Sequence, residues 1–441
     1  NPNNKVPSLT ALSPLPEKYN MLTRLRKLYT EFPRLFWIVV GTRFVDAFGS
    51  TLLFPFFALY ITQRFSVGMT QAGILLGMSS LFGLVGSMAG GALADKFGRK
   101  RLILFGLVFS AISDLSLGLA NDIRVLYPLI IVVGLLSHVA GPAYEAMLID
   151  ILPEEKRQEG YAILRIVFNF AWIFGTALGG LIASRSFFAL FVIDAIISCI
   201  VAALIFRLLP ETHPQVNEKK REDEESLWQT VLGYRIVLKD FAFVAFTLTG
   251  MLALIVYQQQ YSTLAVYMRD VHGIDSQGFG AILSITGLEV VVFQFWISRS
   301  IRRRPAFLMM ALSTLIFAIG FFMYGMVSSF TLFTVAAIII CVGEMFFFPA
   351  SSALAANFAP EDMRGRYMAV SGLVWSIPAT IGPAAAGIII DNYNPNLVWY
   401  IGGAICIISG IGYYALHLKV GGQQRFAPPP LEKEETMVSR K

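Results

Sequence analysis

Charge is what this chain has least of. Only 15% of its 441 residues are Asp, Glu, Lys or Arg, against roughly 25% in a soluble globular protein. Hydrophobic residues supply 56% and the mean hydropathy is +0.63, so an ordinary soluble domain is excluded. Cysteine is scarce too. Cys199, Cys341 and Cys406 all lie inside apolar runs with no motif spacing, which argues against a disulfide framework or metal site and reads as buried apolar thiols. No Walker-type phosphate loop occurs, so ATP-driven pumping by this chain is unsupported. No His/Cys/Asp/Glu cluster has recognisable ligand spacing, so no enzyme activity, metal or cofactor is expected. The apolar runs also lack the short alternation of a β-barrel.

What is present is a series of apolar runs, each near the ~20 residues that cross a bilayer as a helix. They cover roughly residues 35–62, 70–91, 102–120, 125–149, 160–184, 187–208, 241–268, 277–298, 306–327, 330–355, 367–390 and 397–418. The expected fold class is an all-α integral membrane protein of twelve transmembrane helices in two pseudo-repeated six-helix bundles. Its parts are an N-terminal tail (1–34), a first bundle (35–208), a charged linker (209–240), a second bundle (241–418) and a C-terminal tail (419–441). Segment 20–33 reads equally as a basic amphipathic helix lying on anionic lipid or as a solvated face, and 227–238 as amphipathic and surface-lying. The first 33 residues lack the apolar core and cleavage site of a signal peptide, and none is expected.

Of the 35 Lys and Arg, 29 fall in the tails, the linker and one alternate set of loops. Arg64, Arg124, Arg185 and Arg269 occupy the other set, while Arg43 and Arg165 lie within spans. The positive-inside rule then places both termini in the cytoplasm of a cell-membrane protein. The net charge of +6 follows that topology, and no nucleic-acid partner is expected.

A shift of 207 residues aligns Leu59-Tyr60 with Val266-Tyr267, Gly73 with Gly280, Pro142 with Pro349, Pro153-Glu154 with Pro360-Glu361, and Arg157 with Arg364. Chance similarity of two apolar strings would not preserve a polar Pro-Glu-x-x-Arg at that offset, so two homologous halves are expected.

Between the second and third runs stands Gly91-Ala-Leu-Ala-Asp-Lys-Phe-Gly-Arg-Lys-Arg101, with five charges between Asp95 and Arg101. Such a density cannot lie in hydrocarbon, so the segment reads as a short aqueous turn. Gly91 permits close helix approach and Gly98 a positive φ. The run resembles the signature loop of major facilitator superfamily transporters, Gly-x-Leu-Ala-Asp-Lys/Arg-x-Gly-Arg-Lys. The resemblance covers about residues 34–418. In the fifth run Gly175-Thr176-Ala177-Leu178-Gly179-Gly180 resembles the superfamily's antiporter motif, with Thr176 in place of proline. Its counterpart in the second half has Gly382-Pro383 followed by Gly387. The fourth run departs from many family antiporters in carrying no arginine.

Ionisable residues near a bilayer centre cost ~2.5–3.5 kcal/mol each and are functional candidates by default. Asp46, three residues from Arg43, falls about 17 Å deep counting ~1.5 Å per residue from Leu35. Glu289 and Glu344 reach similar depth. The superfamily resemblance implies a cavity lined by spans 1, 4, 7 and 10 and braced by 2, 5, 8 and 11. Asp46, Glu289 and Glu344 then face or border it as proton-coupling groups, each loading a proton from one side and releasing it to the other. For Asp46 a plain ion pair with Arg43 is the alternative. Tyr257, Gln258, Gln259 and Tyr261, with Gln260, read as a polar aromatic stretch lining the substrate cavity, inter-helix hydrogen bonding being the other reading. Arg43 and His138 complete the cavity candidates, with His138 also compatible with helix packing. Phe54–Phe57, Phe346–Phe348 and Trp375 are available as apolar walls. Glu145 and Arg165 are expected to pair, and Asp114 and Asp194, on peripheral spans, to make structural hydrogen bonds. Gly91, Asp95, Gly98, Arg99, Asp150, Arg157 and Arg364 form a second constellation, which the resemblance implies is a cytoplasmic latch that closes when the cavity opens outward.

The sequence therefore reads as a monomeric secondary transporter working by alternating access within the lipid bilayer. Proton-coupled export of amphipathic, drug-like molecules is the leading expectation, from the antiporter-like fifth span and the midplane carboxylates. A proton symporter for a small solute such as a sugar or amino acid is the alternative. A non-transporting membrane sensor or scaffold is the alternative of another class.

Overall fold

The computed structural model describes residues 29–212, 235–301, 304–423 and 426. Most of the expected tails, of both amphipathic segments and of the linker lies outside the described residues. Twelve helices are long and apolar enough to cross a membrane. In chain order they are α1 (Arg34–Phe65), α2 (Met69–Phe97), α3 (Arg99–Leu119), α4 (Ile123–Ile151), α5 (Glu154–Ala183) and α6 (Phe187–Leu208). The second half holds α7 (Phe241–Ser262), α8 (Ser276–Ile301), α9 (Ala306–Met326), α10 (Phe330–Phe358), α11 (Arg364–Asn392) and α12 (Leu397–Val420). No strand occurs among the described residues.

Helix ends are capped where the chain leaves its apolar run. Asp122 accepts from the Arg124 N–H, Asp240 from Phe243 and Ser329 from Leu332, satisfying amides that a helix start leaves unpaired. The charged turn is tighter than the sequence suggests: α2 runs to Phe97, and Gly98 alone, at φ 91°, reverses the chain. Glu211 then accepts from the Arg99 and Lys100 N–H groups at 2.8 and 3.2 Å, closing the start of α3.

Three helical segments are interrupted. In α1 a 3₁₀ turn spans Phe54–Phe56 around Pro55, whose ring removes a donor from the helical ladder. In α4 the helix breaks at His138–Val139, ahead of Pro142. In α7 it breaks at Gln258 and again at Thr263, beyond which Leu264–His272 continues as a short helix.

The repeat is visible as matched contacts. Tyr60 Oη donates to the Leu117 carbonyl at 2.6 Å, and Tyr267 Oη to the Tyr324 carbonyl at 3.2 Å. Both residues of the second pair lie one repeat beyond the first. Gly73 of α2 packs on the backbone of Pro383 in α11, while Gly280 of α8 packs on Thr176 in α5, again one repeat apart. Arg269 Nη1 donates to Thr62 Oγ1 at 3.1 Å, joining two residues that are themselves 207 apart, so this contact lies on the pseudo-twofold axis.

Candidate functional site

The halves touch at the face opposite the chain termini. There the Asp391 carboxylate, at the end of α11, accepts from the Met69 and Thr70 N–H groups at 2.9 and 2.8 Å. These amides form the positive end of the α2 dipole, which favours a carboxylate. Alongside, Ser276 Oγ donates to the Gly180 carbonyl, and further along the same seam Ser284 Oγ donates to Ile173. Toward the terminus face the halves part: a Cβ added at Gly91 of α2, or at Gly365 or Gly372 of α11, would meet nothing within 4 Å. The bundles thus form a V, closed at one face.

A cavity of about 350 Å³ lies between them. Its walls include Phe54 at the α1 interruption and Tyr257, Gln258 and Tyr261 at the α7 interruption, so the breaks in helix geometry coincide with its lining. Phe54 and Tyr261 are repeat mates, as are Phe168 and Trp375, which places the cavity astride the pseudo-axis. The aromatic wall is continuous. Trp375 stacks on Phe348 at 5.0 Å, Tyr257 meets Phe348 edge-on at 5.6 Å, and Trp172 meets Tyr261 edge-on at 5.5 Å. Such rings present apolar faces to a ligand while their quadrupoles attract cations.

One carboxyl lines it. Glu344 of α10 interacts with the Tyr257 hydroxyl, which shares a 2.7 Å hydrogen bond with Tyr261 Oη. Glu289 stands just behind the lining. Its carboxyl interacts with the Cys341 thiol, which itself lines the cavity, and its Oε2 is buried without a partner. Glu344, Tyr257, Gln258 and Tyr261 are therefore brought together, with Glu289 adjoining.

Other candidates lie elsewhere. Gln259 does not line this cavity: its Nε2 donates to Ile255 and its Oε1 accepts from Thr263 Oγ1 at 2.6 Å, against Gly382 of α11. Gln260 accepts from Tyr324 Oη. The three adjacent amides thus divide between cavity and helix hydrogen bonding. His138 packs on Gly83, with Nδ1 3.2 Å from the Gly134 carbonyl. Asp46 and Arg43 pair at 3.4 Å within the first half, where Arg43 also stacks 4.5 Å over the Tyr144 ring.

One expected pairing and one expected hydrogen-bonding role are revised. Glu145 and Arg165 form no ion pair among the described residues. Glu145 interacts with Tyr161 instead, and the charge of Arg165 acts on Glu344. Asp114 makes no structural hydrogen bond through Oδ2, which is buried without a partner. The sequence reading also missed Asn169, Trp172 and Cys341 as lining residues. Arg165, Asn169 and Trp172 recur at i, i+4 and i+7, a helical stripe that marks one face of α5.

In the charged constellation Arg99 pairs with Asp150. Arg157 donates to the Ile149 carbonyl at 3.4 Å. Asp95 and Arg364 are both exposed and unpaired with each other among the described residues. The antiporter-like residues are close-packing positions. Gly175 and Gly179 abut α1 at Thr51 and Leu52, Gly180 abuts α8 at Ser276, Gly382 abuts α7, and Pro383 and Gly387 abut α2 at Gly73 and Thr70. Thr176 is fully buried, its hydroxyl donating to Trp172.

A twelve-helix membrane protein with repeated halves around one central cavity has the architecture of a secondary transporter. The chain matches the Major Facilitator Superfamily family model over residues 39–309 and 260–439 and belongs to that family of membrane transporters. It is 28% identical to a Na(+), Li(+), K(+)/H(+) antiporter of Planococcus maritimus, across 86% of this chain and 95% of that one. It is 25% identical to the multidrug resistance protein MdtH of Shigella dysenteriae, across 82% and 88%. Among solved structures it resembles a POT family transporter in complex with 5-aminolevulinic acid, with TM-score 0.75 and 15% identity over 89% of this chain and 97% of that one. The nucleoside transporter NupG shares the fold at TM-score 0.71 and 14% identity, over 87% and 99%.

Proposed function

We propose that this chain exports amphipathic, drug-like molecules across the cell membrane in exchange for protons, with both termini in the cytoplasm. The observation that carries this reading is one carboxyl, Glu344, set in an otherwise uncharged cavity lining rich in aromatic rings. A lipophilic cation gains from both the rings and the carboxylate, and protonation of that carboxylate removes the electrostatic share. Substrate and proton then compete for one group, the requirement for exchange. The named relatives, one a cation/proton antiporter and one a multidrug resistance protein, support the coupling and the substrate class respectively. On this orientation the V opens to the cytoplasm, from which an exporter loads. The test is efflux of a fluorescent lipophilic cation from proteoliposomes under an imposed pH gradient. Accumulation that is unchanged by a protonophore sinks the reading.

The Planococcus relative favours a second reading, exchange of alkali cations for protons by the same route. In the same vesicles it predicts proton movement driven by sodium or potassium alone, with no organic substrate.

Alternating access requires contacts at one face to break as those at the other form. Asp391→Asn keeps the shape of its side chain but removes the charge facing the α2 N-terminus. Hydrogen bonds to charged groups contribute roughly 1.5–3 kcal/mol, so the expected shift toward the outward-open state is about tenfold or more. Asp95→Asn is expected to shift the population the other way, because on the rocking scheme Asp95 and Arg364, unpaired with each other among the described residues, come together when the cytoplasmic face closes. Spin-label distances across each face read both effects. Shifts in the same direction for the two variants count against the rocking scheme.

A further inference from the structure

The first half contains acidic groups that the central cavity does not use. Asp114 of α3 and Asp194 of α6 are each 7% exposed, within apolar spans that pack on each other. The Asp194 carboxyl fills the space that a Cβ at Gly49 of α1 would occupy. That glycine lies one turn beyond Asp46. The three carboxyls act on one another electrostatically, Asp46 and Asp194 on Asp114, and Asp46 on Asp194. From α4, Tyr144 brings a hydroxyl that is buried and unpartnered, on a residue 6% exposed, whose ring lies beneath Arg43. Asp114 Oδ2 is likewise buried with no donor. The groups facing the site are therefore Arg43 and Asp46 from α1, Asp114 from α3, Tyr144 from α4 and Asp194 from α6.

The site holds three carboxyls and one guanidinium. Arg43 pairs with Asp46 at 3.4 Å, and among the described residues no basic side chain pairs with Asp114 or Asp194. Like charges in a low-dielectric interior do not all ionise together, and an uncompensated buried carboxylate is strongly unfavourable. A positive ligand must supply the balance. The positive ligand that needs no coordination shell, only one carboxyl oxygen, is the proton.

We propose that Asp114 and Asp194, reached through Asp46, form a proton-binding station inside the first bundle, separate from the Glu344 cavity. Asp46 is the entry because its side chain is 23% exposed, whereas the other two are enclosed. Each loading step breaks an O–H bond of a hydronium ion and forms one on a carboxyl oxygen, with no redox change. Binding of protons at this station stands by itself. Its part in transport rests on the proton-coupled reading above.

The test is pH-difference infrared spectroscopy of the full chain in lipid bilayers, without substrate, with aspartate carboxyls isotope-labelled. The labelled protein is expected to show carbonyl bands of protonated aspartate, one lost in Asp114→Asn and one lost or moved in Asp194→Asn. No isotope-sensitive band for a protonated aspartate in the wild type overturns the station, and this arm holds even if a variant fails to fold. Bands that persist unchanged in folded Asp114→Asn and Asp194→Asn overturn it as well. Glu344→Gln is expected to leave the aspartate bands in place. Loss of proton-driven efflux in Glu344→Gln, with no aspartate band anywhere, would thus retain the exporter and discard the station; the reverse pattern would do the opposite.

Discussion

Glu344→Gln is expected to abolish proton-driven efflux while leaving the protein folded and able to move substrate down its own gradient. Glutamine keeps the length and hydrogen-bonding shape of the side chain, so contact with Tyr257 survives. What it cannot do is release a proton. Removing one partner from a buried charge interaction typically costs 2–5 kcal/mol, so affinity for a lipophilic cation should fall by more than about tenfold. A neutral substrate of the same shape should lose little. Glu289→Gln should have a smaller effect on binding, since Glu289 stands behind Cys341 rather than in the lining. The measurement is paired: internal pH and dye content are followed together in proteoliposomes with the gradient imposed in either direction. If Glu344→Gln still drives dye against its gradient, coupling resides elsewhere and the competition scheme is wrong.

The parts of this structure that the sequence exposed are those governed by position along the chain. Span limits follow from the apolar runs. The repeat shows because Tyr60 and Tyr267, or Gly73 and Gly280, perform the same packing task in each half. Gly98 was legible because a one-residue reversal between two helices demands its positive φ. What was hidden depends on rotation about each helix axis. Depth alone suggested that Glu145 and Arg165 pair, yet both are exposed and Arg165 acts instead on Glu344. Gln258, Gln259 and Gln260 are consecutive, so their side chains diverge by about 100° per residue. One lines the cavity and two serve helix contacts. Asp114 and Asp194 looked structural because their spans are peripheral in the resembled fold, but no donor reaches Asp114 Oδ2.

Gly73→Ala and Gly280→Ala are expected to produce closely similar shifts toward the outward-open state. At Gly73 a Cβ would collide with the Pro383 carbonyl and lie 2.6 Å from the Ala384 nitrogen, while at Gly280 it would lie 2.5 Å from the Thr176 carbonyl oxygen. Both obstacles are backbone, inside helices that cannot swing aside as a side chain would. The cheapest relief is to separate α2 from α11, or α5 from α8, at the face where the halves now meet. Overpacking of this kind costs roughly 1–3 kcal/mol, enough for a shift of about tenfold in a two-state equilibrium. The same methyl group at Gly41 meets nothing within 4 Å, so Gly41→Ala serves as the control and should leave the distribution unchanged. Distances between spin labels across the face opposite the chain termini report the result. The matched response is the decisive part, because Gly73 and Gly280 lie in different halves and touch different partners, Pro383 and Thr176. Only a motion that obeys the pseudo-twofold relation makes them equivalent, so a large shift from one with none from the other would mean that the two seams open independently.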